Sequence, residues 1–87
     1  MTDNRYEIIM EELSYINDRA QLADGFEDAL IGIDMVNDVA VYDYDMCIKI
    51  LMKTDNMTRE DALDYFDYNV LGTHIGKYTP TFVKIYK

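Results

Sequence analysis

The stretch VAVYDYDMCIKILMKTDNMTREDALDYFDYNVLG, from Val39 to Gly72, decides the fold. Val39-Ala40-Val41-Tyr42 is β-branched and aromatic, the composition of a strand. Asp43 follows. Its carboxylate can accept a hydrogen bond from the N–H groups of a first helical turn, so it reads as an N-cap. Asp45 falls in that turn and complements the positive end of the helix dipole. Tyr44, Cys47, Ile48 and Leu51 then recur at i, i+3, i+4 and i+7, one face of a helix from Tyr44 to Lys53. Met46, Ile50 and Met52 widen the apolar surface and predict a largely enclosed helix.

Thr54-Asp55-Asn56 breaks the period with turn-forming side chains. Thr58 with Asp61 three residues on approximates a capping box, although aspartate reaches back less well than glutamate. The second helix runs from about Arg59 to Leu71. Ala62, Phe66, Asn69 and Val70 line one face, Leu63 flanks it, and Asp61, Asp64 and Asp67 lie on another. Gly72 is placed to end the helix in a left-handed conformation. Two helices joined by a short turn invite a helix-turn-helix reading. Charge opposes it: a recognition helix needs cations near phosphates, and this one has Glu60, Asp61, Asp64 and Asp67 against Arg59. An α-hairpin packed on a sheet is the better reading.

Upstream, Asp3 or Asn4 can cap a first helix. Tyr6, Ile9, Met10, Leu13, Ile16 and Ala20 recur at helical spacing opposite Glu7, Glu11, Glu12 and Asp18. The spacing predicts an amphipathic acidic helix over residues 1–24, ending near Ala23-Asp24-Gly25. Its apolar stripe is too short for a coiled coil, which leaves packing on the chain's own sheet or a small dimer contact. Ala29 to Ile33 reads as a strand, with Gly32 a bulge or a point of close approach. Met35-Val36-Asn37-Asp38 makes the turn of a hairpin with the strand at Val39. Downstream, Thr73 to Pro80 is loop, and Thr81 to Tyr86 alternates as a last strand. The order α-β-β-α-α-β implies an α+β fold. A three-stranded antiparallel or mixed sheet is packed with helices in a single domain over residues 1–87, its core in residues 25–87.

The 87 residues carry a net charge of −9, and the excess is uneven. Residues 1–48 hold twelve acids against Arg5 and Arg19; residues 49–87 hold five acids against six bases. Such a surface repels nucleic acid and anionic membranes and attracts basic partners, or it serves solubility alone. No apolar run approaches the roughly 20 residues of a membrane helix. No basic segment leads into an apolar one at the start, so no signal peptide is expected. The single cysteine excludes an internal disulfide and fits a reducing, cytoplasmic setting.

No pattern of catalysis emerges. Cys47 and His74 are single, whereas metal ligands come as convergent sets, and no metal or cofactor is expected. Asp43 and Asp45 are explained by helix capping, and Gly72 and Gly76 do not make a phosphate loop. A nucleophile would need His74 beside Ser14, Cys47 or a threonine, and nothing in the spacing favours that. Tyrosine is abundant, with eight residues. Tyr15, Tyr65 and Tyr68 fall off the apolar stripes and are interface candidates, since tyrosine joins an apolar body to a polar tip. With the acids beside them, the candidate protein-interaction surface is Glu7, Glu11, Glu12, Tyr15, Asp18, Asp61, Asp64, Tyr65, Asp67 and Tyr68.

The run Val39 to Asp43, then Cys47-Ile48, Ile50-Leu51-Met52, Met57-Thr58, Asp61-Ala62, Tyr65-Phe66, Asn69-Val70, Gly72, Gly76, Thr79-Pro80 and Phe82 resembles a family of small uncharacterised bacteriophage proteins. The likeness covers residues 39–82 and leaves out the acidic first helix. It implies a viral origin and an accessory protein acting in the host bacterial cytoplasm, and it supplies no activity or catalytic residue. The combined expectation is a non-enzymatic factor that binds a host or viral protein, basic or itself nucleic-acid-binding, with no direct contact to nucleic acid or membrane. The alternative is a structural homodimer.

Overall fold

The side chain of Asp43 accepts from the backbone N–H of Met46 at 3.2 Å, and that of Thr58 from Asp61 at 3.1 Å. These two caps start α2 (Tyr44–Thr54) and α3 (Arg59–Phe66) where their sequence placed them. The architecture is that of a computed structural model, which describes residues 4–73 and 76–86. Asp3 and His74 lie outside the described residues. Between the helices Asn56 takes a left-handed conformation, φ 54°, which asparagine tolerates better than most residues.

Three strands form one mixed sheet in the order β1 (Leu30–Asp34), β2 (Val39–Asp43), β3 (Thr81–Val83). β1 and β2 are an antiparallel hairpin; β2 and β3 run parallel. A parallel pair needs a long crossover, and α2 with α3 supplies it. The hairpin register slips between Leu30 and Gly32, the bulge that Gly32 announced. No close approach accompanies it, since a Cβ at Gly32 would have open space. Asp34 closes the turn. Its carboxylate accepts from the backbone of Val36 (2.9 Å) and Asn37 (3.1 Å) and from the Asn37 amide (2.9 Å). Asp38 completes it with φ 57°, donating its N–H to the Asp34 carbonyl at 2.7 Å.

The fold class and element order are as expected, but several local expectations need correction. The first helix, α1 (Arg5–Ile16), stops well short of Ala23. Asn17 turns into extended backbone there. Its side-chain amide donates to the Asp38 carbonyl at 2.9 Å and its side-chain oxygen accepts from the Arg19 N–H. An asparagine that bonds outside the helix competes with continuing it. Ala20 therefore lies beyond the helix, and Asn4 at its start makes no side-chain cap. The last strand is only Thr81–Val83.

Gly72 does not end its helix in a left-handed conformation. Past Phe66 the helix widens into a π-helical segment, Asp67–Leu71, closed by Gly72 N–H on the Asp67 carbonyl at 3.0 Å. Gly72 has φ −70°, an ordinary right-handed value. What requires glycine is space. A Cβ there would meet the Tyr68 carbonyl oxygen at 2.7 Å.

The core joins all of these elements. Phe66 is fully buried, with the rings of Phe26, Tyr44 and Phe82 set edge-to-face around it at 5.7, 5.3 and 5.1 Å. Each such pair contributes about 0.5–1.5 kcal/mol beyond area burial. Cys47, Ile48 and Leu51 bury the face of α2 predicted for them, and Ala62 and Val70 flank Phe66. Asn69 points away, donating to the Tyr65 carbonyl. Enclosure of α2 is incomplete, because Met46 and Met52 remain exposed. Ile9 and Leu13 bring α1 into the same core, against β1.

Candidate protein-interaction surface

All ten residues of the candidate surface are exposed. They fall into two groups on different elements, because α1 rests on β1 and α3 on α2. Glu7, Glu11, Glu12 and Tyr15 stand on the outer side of α1, with Asp18 just past its end. Asp61, Asp64 and Tyr65 stand on α3, with Asp67 and Tyr68 in the π-helical segment that continues it. The helical period does this. Burying Ile9 and Leu13 turns Glu7, Glu11 and Tyr15, each two positions from a member of that stripe, to solvent. Tyr15 and Tyr68 are 84% and 79% exposed, too open to serve the core. Tyr65, at 40%, is partly enclosed.

Sequence reasoning missed an apolar component. Ile8 is exposed beside Glu11, Glu12 and Tyr15 and lines a shallow groove with them. Its spacing to these residues, i to i+3, i+4 and i+7, was a signal that could have found it. Met35 and Val36, at the hairpin tip, are exposed too.

Not every acid of the first half is available to a partner. Asp43 is spent on its cap, and Asp34 on its turn. Glu27 accepts from the Gly25 N–H at 2.7 Å, and Asp45 pairs with Lys84 at 3.3 Å. That pair is half-exposed, so it adds little stability. Asp34 is held below the usual carboxylate range, first by the Asn37 side chain and then by the backbone N–H groups of Asn37 and Val36. None of these four belongs to the ten.

Cys47 is a free thiol, fully buried, and burial with the nearby Asp43 charge pushes its pKa up to about 12. A buried thiol that resists ionisation is a packing residue. Among the described residues no three His, Cys, Asp or Glu side chains converge on a metal position. No helix of the described residues is long and apolar enough to cross a membrane. No protein-family profile, curated protein or solved structure matches the chain.

Proposed function

We propose that this is a small acidic accessory protein of bacteriophage origin. It acts without catalysis, by binding a basic host or viral protein in the bacterial cytoplasm. The observation that carries the reading is the exposure of Glu7, Glu11, Glu12, Asp61, Asp64 and Asp67 beside Tyr15, Tyr65 and Tyr68. Carboxylates in that setting speed and orient encounter with a cationic surface, and the tyrosines supply contact area once it docks. The viral origin rests on the likeness of residues 39–82 to small phage proteins. The partner's basic character rests on charge, and a nucleic-acid-binding protein is the common bearer of such charge.

Affinity capture from bacterial lysate at low and high salt tests it. Basic proteins retained at low salt and released at high salt are expected, because salt screens exposed charges. Recovery at background level in both conditions would overturn the reading.

The alternative is a homodimer built on α1. Its natural seam, Ile9 and Leu13, is already buried against the chain's own sheet. Ile8 and Tyr15 remain, but a two-fold contact through them would bring Glu11 and Glu12 of both copies together. Sedimentation separates the readings: a monomer at micromolar concentration removes the dimer.

A further inference from the structure

A second, more enclosed feature lies where loop residues 22–26, the end of α2, and α3 meet. It is a cleft of about 390 Å³. That lies at the lower end of small-ligand sites, roughly 300–1,000 Å³. The geometry points to this cleft as the seat of one arginine or lysine side chain of the partner protein, an inference that rests on the reading above.

The cleft brings apolar side chains and two carboxylates together. Leu22, Phe26, Ile50, Leu51 and Val70 contribute the apolar lining, which suits the methylenes of a long cationic side chain. Asp24 and Asp55 contribute carboxylates, both on exposed residues, and no lysine or arginine lines the cleft. Among the described residues no cation pairs with either carboxylate. The last turn of α2 reaches the same place through Thr54, and Asp55 is its C-cap. A helix C-terminus carries partial negative charge and favours a cation. Tyr65 also lines the cleft, and a half-exposed aromatic ring attracts a guanidinium or ammonium over its face.

The three contributions come from separate parts of the chain: the loop, the end of α2, and α3. A divalent cation would find carboxylates at Asp24 and Asp55 and neutral side-chain oxygens at Thr54 and Asn69, short of the six or more oxygens that hard cations take. A neutral apolar ligand would draw nothing from the carboxylates of Asp24 and Asp55, which stand on exposed residues at the cleft. The cleft also gives Tyr65 a role distinct from Tyr15 and Tyr68, which are too open to enclose anything.

The test is an amide-resolved NMR titration of the 15N-labelled full chain. The probes are an acetylated, amidated pentapeptide with one central arginine among alanines, its norleucine counterpart, and free agmatine. The arginine peptide is expected to shift the amides of Gly25, Thr54, Asp55, Tyr65 and Asn69, and the norleucine peptide to leave them. The double variant Asp24→Asn, Asp55→Asn should weaken the arginine peptide about fivefold, and Tyr65→Ala about threefold, while the charge-matched control Asp28→Asn, Glu60→Gln, exposed and outside the cleft, changes it less than about twofold. Shifts centred on α1 instead would overturn the cleft and leave the acidic-binder reading intact. Agmatine binding as tightly as the peptide would overturn a protein source for the cation. Absence of any arginine-dependent shift would overturn the cleft, and loss of the salt-sensitive capture as well would remove the wider reading.

Discussion

The hydroxyl of Tyr42, in the middle strand, accepts the backbone N–H of Ala23 at 2.9 Å. Both residues are buried, and the Tyr42 ring stacks on Phe82 at 5.4 Å. This bond fastens the non-helical segment after α1 to the centre of the sheet, and Ala23 and its neighbours form one wall of the cleft. Tyr42→Phe keeps the stack and strands the amide. The expected cost is about 1–3 kcal/mol, the desolvation penalty of a buried donor without a partner. Hydrogen exchange should accelerate most at Ala23 and Gly25. An unchanged denaturation midpoint with unchanged exchange would mean that the bond carries nothing.

Gly72 offers a substitution whose sign is informative. Alanine in a helical conformation usually gains about 1 kcal/mol over glycine. Here the added methyl meets a backbone carbonyl, which cannot swing aside as a side chain could. Gly72→Ala should destabilise by about 1–3 kcal/mol, the usual cost of overpacking. Urea denaturation checks it, and a stabilised variant would show that the π-helical turn relaxes freely.

Alkaline pH should weaken the fold. Burial raises the Cys47 thiol from 9.0 and the Tyr42 hydroxyl from 10.0, each to about 12. Both therefore hold their protons in the folded protein at a pH where the unfolded chain has released them. The stability that these two groups contribute is full below about pH 9, falls as pH rises from there, and is lost through about pH 12. Cys47→Ala should remove the thiol's part of the slope, although the cavity left behind lowers stability at every pH. A thiol reagent at neutral pH should label Cys47 only as fast as the protein opens.

Acid acts through Asp34 with the opposite sign. Its folded pKa is depressed below 3.8 by the hydrogen bonds of the hairpin turn. The stabilisation is present above that ordinary value and is lost as pH falls through the lower, folded one. Asp34→Ala should abolish this acid limb and raise hydrogen exchange at Val36 and Asn37. An acid limb that persists in the variant would place it elsewhere.

Much of the fold was legible because it depends on local chemistry. Caps at Asp43 and Thr58, the 3.6-residue stripes of α2 and α3, and a turn at Asn37-Asp38 are written within a few residues of where they act. What escaped depends on three-dimensional contacts that no local pattern encodes. The end of α1 is decided at Asn17 by the Asp38 carbonyl, 21 residues away, so periodicity ran past it. Gly72 was read from the habit of glycine at helix ends, whereas its neighbour Tyr68 decides it. The parallel pairing of β2 with β3 spans the whole α-hairpin. The exposed acids and tyrosines were found because solvent-facing positions follow from the buried stripe. The cleft was not, since Asp24, Asp55 and Tyr65 share no sequence spacing.

The central claim is that exposed carboxylates bind a basic protein, and charge removal tests it most directly. Glu7, Glu11, Glu12, Asp61, Asp64 and Asp67 are exposed, so a variant carrying Gln or Asn at all six should keep the fold, as circular dichroism would verify. Captured proteins from bacterial lysate are then quantified for the original and the variant at one low salt concentration. The account predicts that basic proteins enriched on the original are lost from the variant. Equal enrichment on both would contradict it.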